Sequence, residues 1–367
     1  MRIGFFVPRC TPDNSHGRYI IELAKRLALN HQVAVYAGEF WPQLRSVVEC
    51  HTVPVSNRPA VLRIAGLWAV SMAVPKSRFD IIHIQGADAP VGNVVTAHCC
   101  NAAMQISAVG RESLTRKLNY ALGSRAERYC FAKPSTRMVI AVSEKVKVEI
   151  QSYYDVDPER IVIIPQGVDA DTFTPAARIR SHSAVRERLG FGTDDFVVTF
   201  VGGDYRLKGL VTLLKAVSRA RREPRVIAVG VTQDAALDAL IVQGGLKERV
   251  KFIGWTSDPS PFYAAADCFV LPTRYDTFSL ATLEAMASGL PVIVSSAAGV
   301  SEHLTDGLDA IVLQDPGDVE SLVRQLDLLT SNEALRNTLG DRARQTAERF
   351  SWEKVAERTL EVYRQVV

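Results

Sequence analysis

The feature that most constrains the fold is a repeated pattern of short apolar runs, each followed by a turn and an amphipathic stretch. Short runs that are apolar throughout are typical of strands buried on both faces of a parallel sheet. The first half of the chain contains the runs Ile3–Val7, Val33–Ala37, Ile81–Ile84, Val94–Ala97, Val139–Val142 and Ile161–Ile164. The second half contains the runs Val197–Val201, Val226–Val229, Val250–Ile253, Cys268–Leu271, Val292–Val294 and Ala310–Leu313. Their alternation with helical stretches predicts an α/β fold of doubly wound parallel sheets.

The pattern occurs twice, and 367 residues exceed what one hydrophobic core usually serves, so we expect two domains. We place a first domain at residues 1–172 and a second domain at residues 173–350. The seam is the polar, proline-containing stretch Asp169–Ser183. Residues 351–367 have the pattern of an amphipathic helix, which does not specify where the helix packs; a return to the first domain is one option. Ligands of such sheets bind beyond the carboxyl ends of the strands, so two facing domains would share a central cleft.

Composition and charge argue against several other classes of protein. A formal net charge of +3 lacks the basic excess that is typical of nucleic-acid binding. The six cysteines form no C-x-x-C pair, which favours reduced thiols in a cytoplasmic protein. The opening apolar run stops at Pro8 and is too short for a secretory signal. The longest other apolar segment, Val61–Val74, is interrupted by Arg63 and is shorter than the ~20 residues that cross a bilayer.

The most informative segment, residues 271–292, reads LPTRYDTFSLATLEAMASGLPV. A buried strand ends at Leu271, and a turn then presents Asp276 before a helix that Thr277 or Ser279 could cap. The free amides at such a helix start form a site for a phosphate. Asp276 and Glu284 are about two helical turns apart, so both carboxylates can face one ligand.

This segment resembles the E-x7-E signature of the family 4 retaining glycosyltransferases, which have the GT-B fold of two Rossmann-like domains. The family's second glutamate binds the ribose hydroxyls of the donor, and it matches Glu284. The first glutamate contacts the sugar ring and matches Asp276, whose side chain is one methylene shorter. The resemblance further implies that the donor lies against the residues at the helix start, namely Thr277, Phe278, Ser279 and Leu280.

A second matching segment is FVGGDYRLKGL at residues 200–210. The family has a basic pair here that neutralises the departing diphosphate. Lys208 matches the family lysine, whereas Gly203 stands where an arginine is usual and Arg206 is the candidate substitute. In having a basic residue just before the Lys-Gly pair, this segment resembles that of the lipopolysaccharide core glucosyltransferases. The resemblance therefore implies that Gly203 lines the donor and that Arg206 and Lys208 stabilise the leaving group.

Three further positions match the family. His98 follows a predicted strand and matches the histidine that faces the donor sugar, where its role is to position the sugar rather than to act as a base. Gly17, in the first loop, lies near the family's glycine pair and would let the backbone approach the donor. Trp255 follows the strand where the family's backbone binds the nucleotide base.

Other motifs near these positions have structural interpretations. His83 fits a satisfied histidine at a strand end. Cys99 would point away from His98, because adjacent residues on a strand face opposite sides, so a thiol–imidazole dyad is disfavoured. The sequence Asp155-Val156-Asp157 mimics a D-x-D metal motif but lies in a polar connector. We therefore expect no metal and no other cofactor, the nucleotide sugar being a co-substrate.

The resemblance implies that a hexose moves from a nucleotide diphosphate to an acceptor hydroxyl with retention at the anomeric carbon. The expected catalytic residues are His98, Arg206, Lys208 and Asp276. No carboxylate is placed as a double-displacement nucleophile, so we expect a front-face route. The first choice of donor is UDP-glucose, and the expected acceptor is a cell-surface glycan or a lipid-linked saccharide. The basic stretch Arg111–Arg137 fits an anionic membrane surface as well as it fits a solvated helical face, so a peripheral position on the inner face of the membrane is one expectation.

Three rival functions fit parts of the pattern. A dinucleotide-dependent oxidoreductase would also have doubly wound sheets, but no G-x-G-x-x-G follows the first strand. A non-hydrolysing nucleotide-sugar epimerase would convert the donor without any acceptor. A non-catalytic member would bind the nucleotide sugar only, and the departures at Gly203 and Asp276 keep that alternative open.

Overall fold

The computed structural model describes residues 1–54, 60–107 and 114–367. It divides into two compact units. The first comprises Met1–Gly167 together with Trp352–Val367, and the second comprises Val168–Ser351.

The strands lie where the apolar runs predict them, with three short additions at β2, β4 and β5. Their bounds are β1 Arg2–Phe6, β2 Arg9–Cys10, β3 Gln32–Ala37, β4 Glu39–Phe40, β5 Glu49–Thr52, β6 Ile81–Gln85, β7 Val94–Ala97, β8 Met138–Ala141, β9 Ile161–Ile163, β10 Val197–Val201, β11 Arg225–Val229, β12 Val250–Gly254, β13 Cys268–Leu271, β14 Val292–Ser295 and β15 Ile311–Leu313.

Helices separate most of these strands. Their bounds are α1 Ser15–Leu27, α2 Ala60–Ala73, α3 Asn101–Ser107, α4 Leu114–Ala132, α5 Glu144–Tyr154, α6 Pro175–Leu189, α7 Leu210–Arg219, α8 Ala235–Gln243, α9 Ser260–Ala264, α10 Leu280–Ala287, α11 Val319–Ser331, α12 Glu333–Ala347 and α13 Trp352–Val366.

The first unit is built on a seven-stranded parallel sheet in the order β5-β3-β1-β6-β7-β8-β9. Ile3 pairs with Val33 of β3 on one side and with Ile81 of β6 on the other. The chain therefore winds outward in one direction from β1 to β5 and then in the opposite direction from β6. The point between β1 and β6, where the winding reverses, is where such sheets bind ligands.

The second unit repeats this topology with six parallel strands in the order β12-β11-β10-β13-β14-β15. Here the winding reverses between β10 and β13, which pair at Val198 with Cys268. The central strands are buried over most of their length, as the continuous apolar runs predict. The two sheets confirm the predicted α/β class and the doubly wound topology of each domain.

The last helix, α13, belongs to the first unit. Trp352, Val355 and Tyr363 are buried in the hydrophobic core formed by β1, α1 and β3. Gly167 allows this packing, because a Cβ there would lie 2.8 Å from the Trp352 ring. Arg26 of α1 adds an ion pair to Glu353 at 2.6 Å.

The seam between the units differs from the predicted boundary after residue 172. The second unit begins at Val168, because Val168 donates to the Phe350 carbonyl at 2.8 Å and pairs with Ser351. The stretch Asp169–Ser183 is also not a linker throughout, since α6 begins at Pro175. Proline fits the first turn of a helix, and Gly190 ends α6 in the left-handed conformation.

None of the helices in the described ranges is both long enough and apolar enough to cross a membrane. Arg111, the first residue of the predicted basic stretch, lies outside the described residues. The basic residues from Arg116 to Arg128 lie in α4, and Lys133 and Arg137 follow it.

Candidate functional site

In the second unit, two loops leave the carboxyl ends of the strands on either side of the winding reversal. One loop, residues 202–209, connects β10 to α7, and the other, residues 272–279, connects β13 to α10. Both segments that match the family in sequence are therefore neighbours in space, because β10 and β13 are adjacent strands.

The two loops are bonded to each other. The Thr273 hydroxyl donates to the Leu207 carbonyl at 3.1 Å, and the Arg274 amide donates to the same oxygen at 2.8 Å. Gly209 has a φ of +85°, and a Cβ there would lie 1.9 Å from the Pro272 carbonyl oxygen. Only glycine allows the two backbones to approach this closely, which explains why a glycine follows Lys208. The sequence did not reveal this reason.

Lys208 and Asp276 meet across the two loops. Lys208 Nζ lies 2.6 Å from Asp276 Oδ2, and both side chains are only partly exposed. The pair places one cation and one carboxylate in the loops that lead into α7 and α10. Two of the predicted catalytic residues are thus brought together.

The start of α10 differs in detail from the prediction. Ser279 is the residue before the helix, but it has a φ of +86° and its side chain does not cap an amide. Its hydroxyl lies 2.8 Å from Thr282 Oγ1 instead. The prediction that Ser279 caps the helix is therefore wrong at the side-chain level, because the left-handed backbone turns the hydroxyl toward Thr282. Thr277 is not the residue before the helix either, and Leu280 begins it.

Phe278 is buried, and its ring packs in the core of the second unit against His303 and Phe350. Its carbonyl accepts from the Val300 amide at 2.7 Å. Phe278 therefore helps to hold the loop, through its buried ring and its backbone carbonyl.

Glu284 is only 4% exposed and lies on α10, one turn beyond the loop. The Tyr263 hydroxyl lies 3.0 Å from Glu284 Oε2 and 3.0 Å from the Ala281 carbonyl. A buried carboxylate held by a hydroxyl keeps a fixed orientation. Tyr263, on α9, belongs to no motif and was missed by sequence reasoning.

Three other predicted donor contacts stand apart from the Lys208–Asp276 pair. The Arg206 guanidinium is 57% exposed and lies 3.5 Å from Asp234 at the start of α8. The space around the Cα atom of Gly203 is open, because the nearest atom to an added Cβ would be the Gly230 carbonyl oxygen at 3.9 Å. Trp255 follows β12 and is 67% exposed. In this conformation Arg206 pairs with an acidic residue away from Lys208.

In the first unit, His98 lies just beyond β7 and both of its ring nitrogens are occupied. Nε2 lies 2.7 Å from Gln85 Oε1, and Nδ1 lies 3.0 Å from Gln166 Nε2. This network assigns the neutral tautomer with the proton on Nε2. Burial lowers the pKa of His98 well below its ordinary value, and the neighbouring His16 and His83 lower it further. His98 therefore fits a positioning role and not that of a base.

A second histidine, His16, stacks on His98 with ring centroids 4.5 Å apart. Its Nδ1 lies 3.3 Å from Asp88 Oδ2. His16 lies in the first turn of α1 and Asp88 in the loop after β6, so both flank the winding reversal of this sheet. Sequence reasoning missed the pair, although each residue follows a strand that ends at the ligand-binding edge.

Gly17 has a packing role that the sequence did not reveal. A Cβ at Gly17 would lie 2.5 Å from the Arg9 carbonyl oxygen, so the glycine allows α1 to pack on the loop after β1. Its amide donates to Asn14 Oδ1 at 2.9 Å, which caps the helix. Because that amide already has a partner, Gly17 serves the packing of α1.

The remaining candidates have structural partners. His83 is buried between Tyr363 at 2.6 Å and Thr96 at 2.7 Å, and burial lowers its pKa to about 3. Cys99 lies 3.8 Å from Glu127, away from the partners of His98. Asp157 accepts from the Glu159 amide at 3.0 Å and so caps a short turn. Across residues 1–54, 60–107 and 114–367, no three His, Cys, Asp or Glu side chains cluster as metal ligands would.

Two family models match the chain, one for each unit. The model of Glycosyltransferase Family 4 matches residues 16–172, and that of Glycosyl transferases group 1 matches residues 182–346.

Curated relatives agree with these matches. The D-inositol 3-phosphate glycosyltransferase of Salinispora arenicola is 35% identical over 231 residues, 58% of this chain and 51% of the relative. The chain thus spans about half the length of this relative. The MMP alpha-(1->4)-mannosyltransferase of Mycolicibacterium hassiacum is 27% identical over 100% of this chain and 98% of its own.

Solved structures share the fold. WaaG, a glycosyltransferase involved in lipopolysaccharide biosynthesis, superposes with a TM-score of 0.83 at 23% identity over 98% of this chain and 99% of its own. Anabaena HepE in complex with UDP-glucose superposes with a TM-score of 0.77 at 19% identity over 100% of both chains. On its two motif-bearing units and these matches, the chain belongs to the group 1 glycosyltransferases of family 4 and has their GT-B fold.

Proposed function

We propose that this chain is a retaining glycosyltransferase that moves glucose from UDP-glucose to an acceptor hydroxyl. The observation that carries the proposal is the Lys208–Asp276 pair, 2.6 Å apart, in the loops that follow β10 and β13 at the winding reversal of the second sheet. A cation, a carboxylate and a helix start at that edge suit a donor with a diphosphate and a hydroxyl-rich sugar.

The chemistry follows from where charge develops. As the bond between the anomeric carbon and the diphosphate breaks, negative charge grows on the leaving group and positive charge grows on the sugar. Lys208 and the amides at the start of α10 stabilise the negative charge on the leaving group, and Asp276 accepts hydrogen bonds from the sugar hydroxyls. Arg206 assists once its guanidinium leaves Asp234, a partner that is half-exposed and weakly held.

Glu284 binds the ribose of the donor. Its buried carboxylate is pre-oriented by Tyr263, so little freedom is lost when ribose hydroxyls donate to it. In the first unit, His98 is held by Gln85 and Gln166 in its neutral form, which argues against a role for it as a base. No step requires a metal or another cofactor.

Two comparisons support UDP-glucose as the donor. HepE was solved with UDP-glucose bound, and its fold matches the whole length of this chain. WaaG acts in lipopolysaccharide biosynthesis, which supports a cell-surface glycan or a lipid-linked saccharide as the acceptor class.

The experiment measures release of UDP or another nucleoside diphosphate from a panel of sugar donors, with and without candidate acceptors. Glu284→Gln tests the ribose contact with little change of shape, and Glu320→Gln, an exposed residue of α11, is the matched control. We expect acceptor-stimulated UDP release that Glu284→Gln lowers about 100-fold and Glu320→Gln leaves unchanged. Release from no donor, despite thermal stabilisation by UDP, would favour a binding-only protein; conversion of the donor without an acceptor would favour an epimerase.

We also propose that α4 lies on an anionic membrane surface, at the inner face of the membrane. Leu118 and Tyr129 are 57% and 54% exposed, and Leu122 is exposed beside them. Exposed apolar side chains next to the exposed Lys117 and Arg125 suit an interfacial helix.

Other cations of the predicted basic stretch have internal partners. Arg128 donates to the Tyr153 carbonyl, Lys133 to that of Pro90 and Arg137 to that of Val366. The membrane-facing set is therefore smaller than the sequence predicted. Sedimentation with phosphatidylglycerol vesicles, but not with phosphatidylcholine vesicles, supports the proposal if Lys117→Glu with Arg125→Glu abolishes it. Equal binding by that double variant would contradict it.

A further inference from the structure

We propose that the outer edge of β12 is a docking site for an extended, acidic segment of another protein. The surface is a groove of about 430 Å³ that is lined by β12, the end of α6 and part of α8. It lies within the second unit, two strands away from β10, whose loop contains Lys208. Its occupancy therefore does not depend on the proposed transfer reaction.

The backbone of β12 has one side without a neighbouring strand, because β12 is the edge of the second sheet. Its inner side pairs with β11. Backbone groups alternate in direction along a strand, and the Val250 amide turns outward, where it donates to the Leu246 carbonyl at 3.1 Å. The amide and carbonyl of Phe252, two residues further on, therefore face outward as well. They offer a donor and an acceptor to an added strand.

Three cations line the groove, namely Arg188, Lys247 and Lys251. None of them has a carboxylate partner within residues 1–54, 60–107 and 114–367, and no carboxylate is among the described residues that line the groove. Glu187 and Glu248 are next to two of these cations in sequence, but neither lines the groove. The groove is therefore positively charged and suits an anionic occupant.

Apolar side chains line much of the rest of the groove, among them Leu189, Ile241 and Phe252. α8 has the sequence AALDALIVQ and is therefore apolar on most of its surface. Val242, the residue after Ile241, is nevertheless 77% exposed. A helix that is apolar on most sides is normally covered, so this surface has the character of an interface.

The charges distinguish between possible occupants. A second copy of this chain would bring three more cations to the edge, and like charges that face each other disfavour such a contact. Lysine on an edge strand is a common protection against pairing with identical strands. An acidic strand instead gains ion pairs in addition to backbone hydrogen bonds. The pairing of β12 with β11 shifts register beyond Phe252, so the added strand follows β12 over a few residues only.

The experiment measures binding of labelled peptides to the full chain by fluorescence anisotropy at low salt. The probe is a peptide of alternating valine and glutamate, about eight residues long, and its counterpart has lysine in place of glutamate. The groove variant is Arg188→Glu with Lys251→Glu. The matched control is Lys215→Glu with Arg324→Glu, which changes the net charge equally at exposed residues of α7 and α11.

We expect the wild type and the matched control to bind the valine–glutamate peptide about 10-fold more tightly than the valine–lysine peptide. The groove variant should lose about 10-fold in affinity for the acidic peptide. Arg188→Gln with Lys251→Gln, which adds no repulsion, should show a smaller loss in the same direction and guards against misfolding of the glutamate variant. No binding of the acidic peptide, equal binding of both peptides, or equal losses in the groove variant and the matched control would overturn the docking site.

Methylated peptides separate strand pairing from attraction between charges. Methylating the amides of either the valines or the glutamates removes one alternating set of donors and leaves every charge in place. Only one of the two methylated peptides should bind more weakly, because only one set of amides faces β12. Equal binding of both would contradict an added strand. Binding to phosphatidylglycerol vesicles that the groove variant abolishes, or a dimer that it dissociates, would assign the surface to a membrane or to a second copy and overturn the proposal.

Discussion

Replacing Gly209 by alanine tests how the loops of the second unit are held together. Gly209 has a φ of +85°, and an added Cβ would lie 1.9 Å from the Pro272 carbonyl oxygen. An ordinary contact at this point needs about 3.4 Å or more, so one of the two loops must move by more than 1 Å. Lys208 is the residue before Gly209, and Asp276 lies in the same loop as Pro272.

The cost can be estimated from its two parts. An L-residue in the left-handed conformation costs about 1–2 kcal/mol, which is partly offset by about 0.4–1 kcal/mol because alanine has less freedom than glycine when unfolded. The steric displacement adds about 1–3 kcal/mol. Gly307→Ala is the matched control, because Gly307 has a φ of +75° but no atom lies within 4 Å of its Cβ position. The difference between the two variants isolates the clash with Pro272.

Thermal unfolding of both variants measures this difference. A domain of this size shifts by about 2–4 °C per kcal/mol, so a steric cost of about 1–3 kcal/mol should make Gly209→Ala unfold about 2–12 °C below Gly307→Ala. Release of UDP should also fall in Gly209→Ala, because Lys208 and Asp276 no longer meet at 2.6 Å. Equal unfolding temperatures and unchanged activity would refute the argument that the contact with Pro272 fixes the site.

Three further changes have defined outcomes. Tyr263→Phe removes the hydroxyl that lies 3.0 Å from Glu284, so the affinity for UDP, measured by calorimetry, should fall about 10-fold. An unchanged affinity would show that the Tyr263 hydroxyl does not orient Glu284 for binding. Burial raises the pKa of Glu127 from 4.5 to about 7. Because the folded state then binds this proton more tightly than the unfolded state, the free energy of unfolding falls by up to about 3 kcal/mol as the pH rises from 4.5 to 7. Glu127→Gln should therefore gain stability relative to the wild type between pH 4.5 and 7 in thermal unfolding, and a constant difference would contradict the assignment. Trp352→Ala should lose about 3–5 kcal/mol in urea unfolding, whereas Trp255→Ala, at an exposed side chain, should lose about 0.5 kcal/mol or less; similar losses would argue against the packing of α13.

Local pattern was sufficient for every strand of the two large sheets except β5. The predicted runs are mostly apolar because the central strands are buried on both faces, and this is visible within four or five residues. β9 and β12 are buried only at their first residue. β5, Glu49–Thr52, was missed because an edge strand of a parallel sheet is partly exposed and its sequence is polar. The first part of α6 was missed because Asp169–Ser183 has a linker's composition, whereas the end of the helix near Gly190 can be read from the sequence. The helix is also stabilised by contacts made elsewhere in the unit, such as that of Arg186 with Asp267 at 2.6 Å.

The sequence by itself determined the fold class, the family and the motif-bearing residues of the second unit, because these depend on runs of neighbouring residues. The tertiary structure decided which side chains meet. Lys208 contacts Asp276 while Arg206 turns to Asp234, and His16 contacts Asp88 across 72 positions of the chain. No local pattern encodes such pairs, since they exist only because the order of parallel strands brings the carboxyl ends of distant segments to one edge of the sheet.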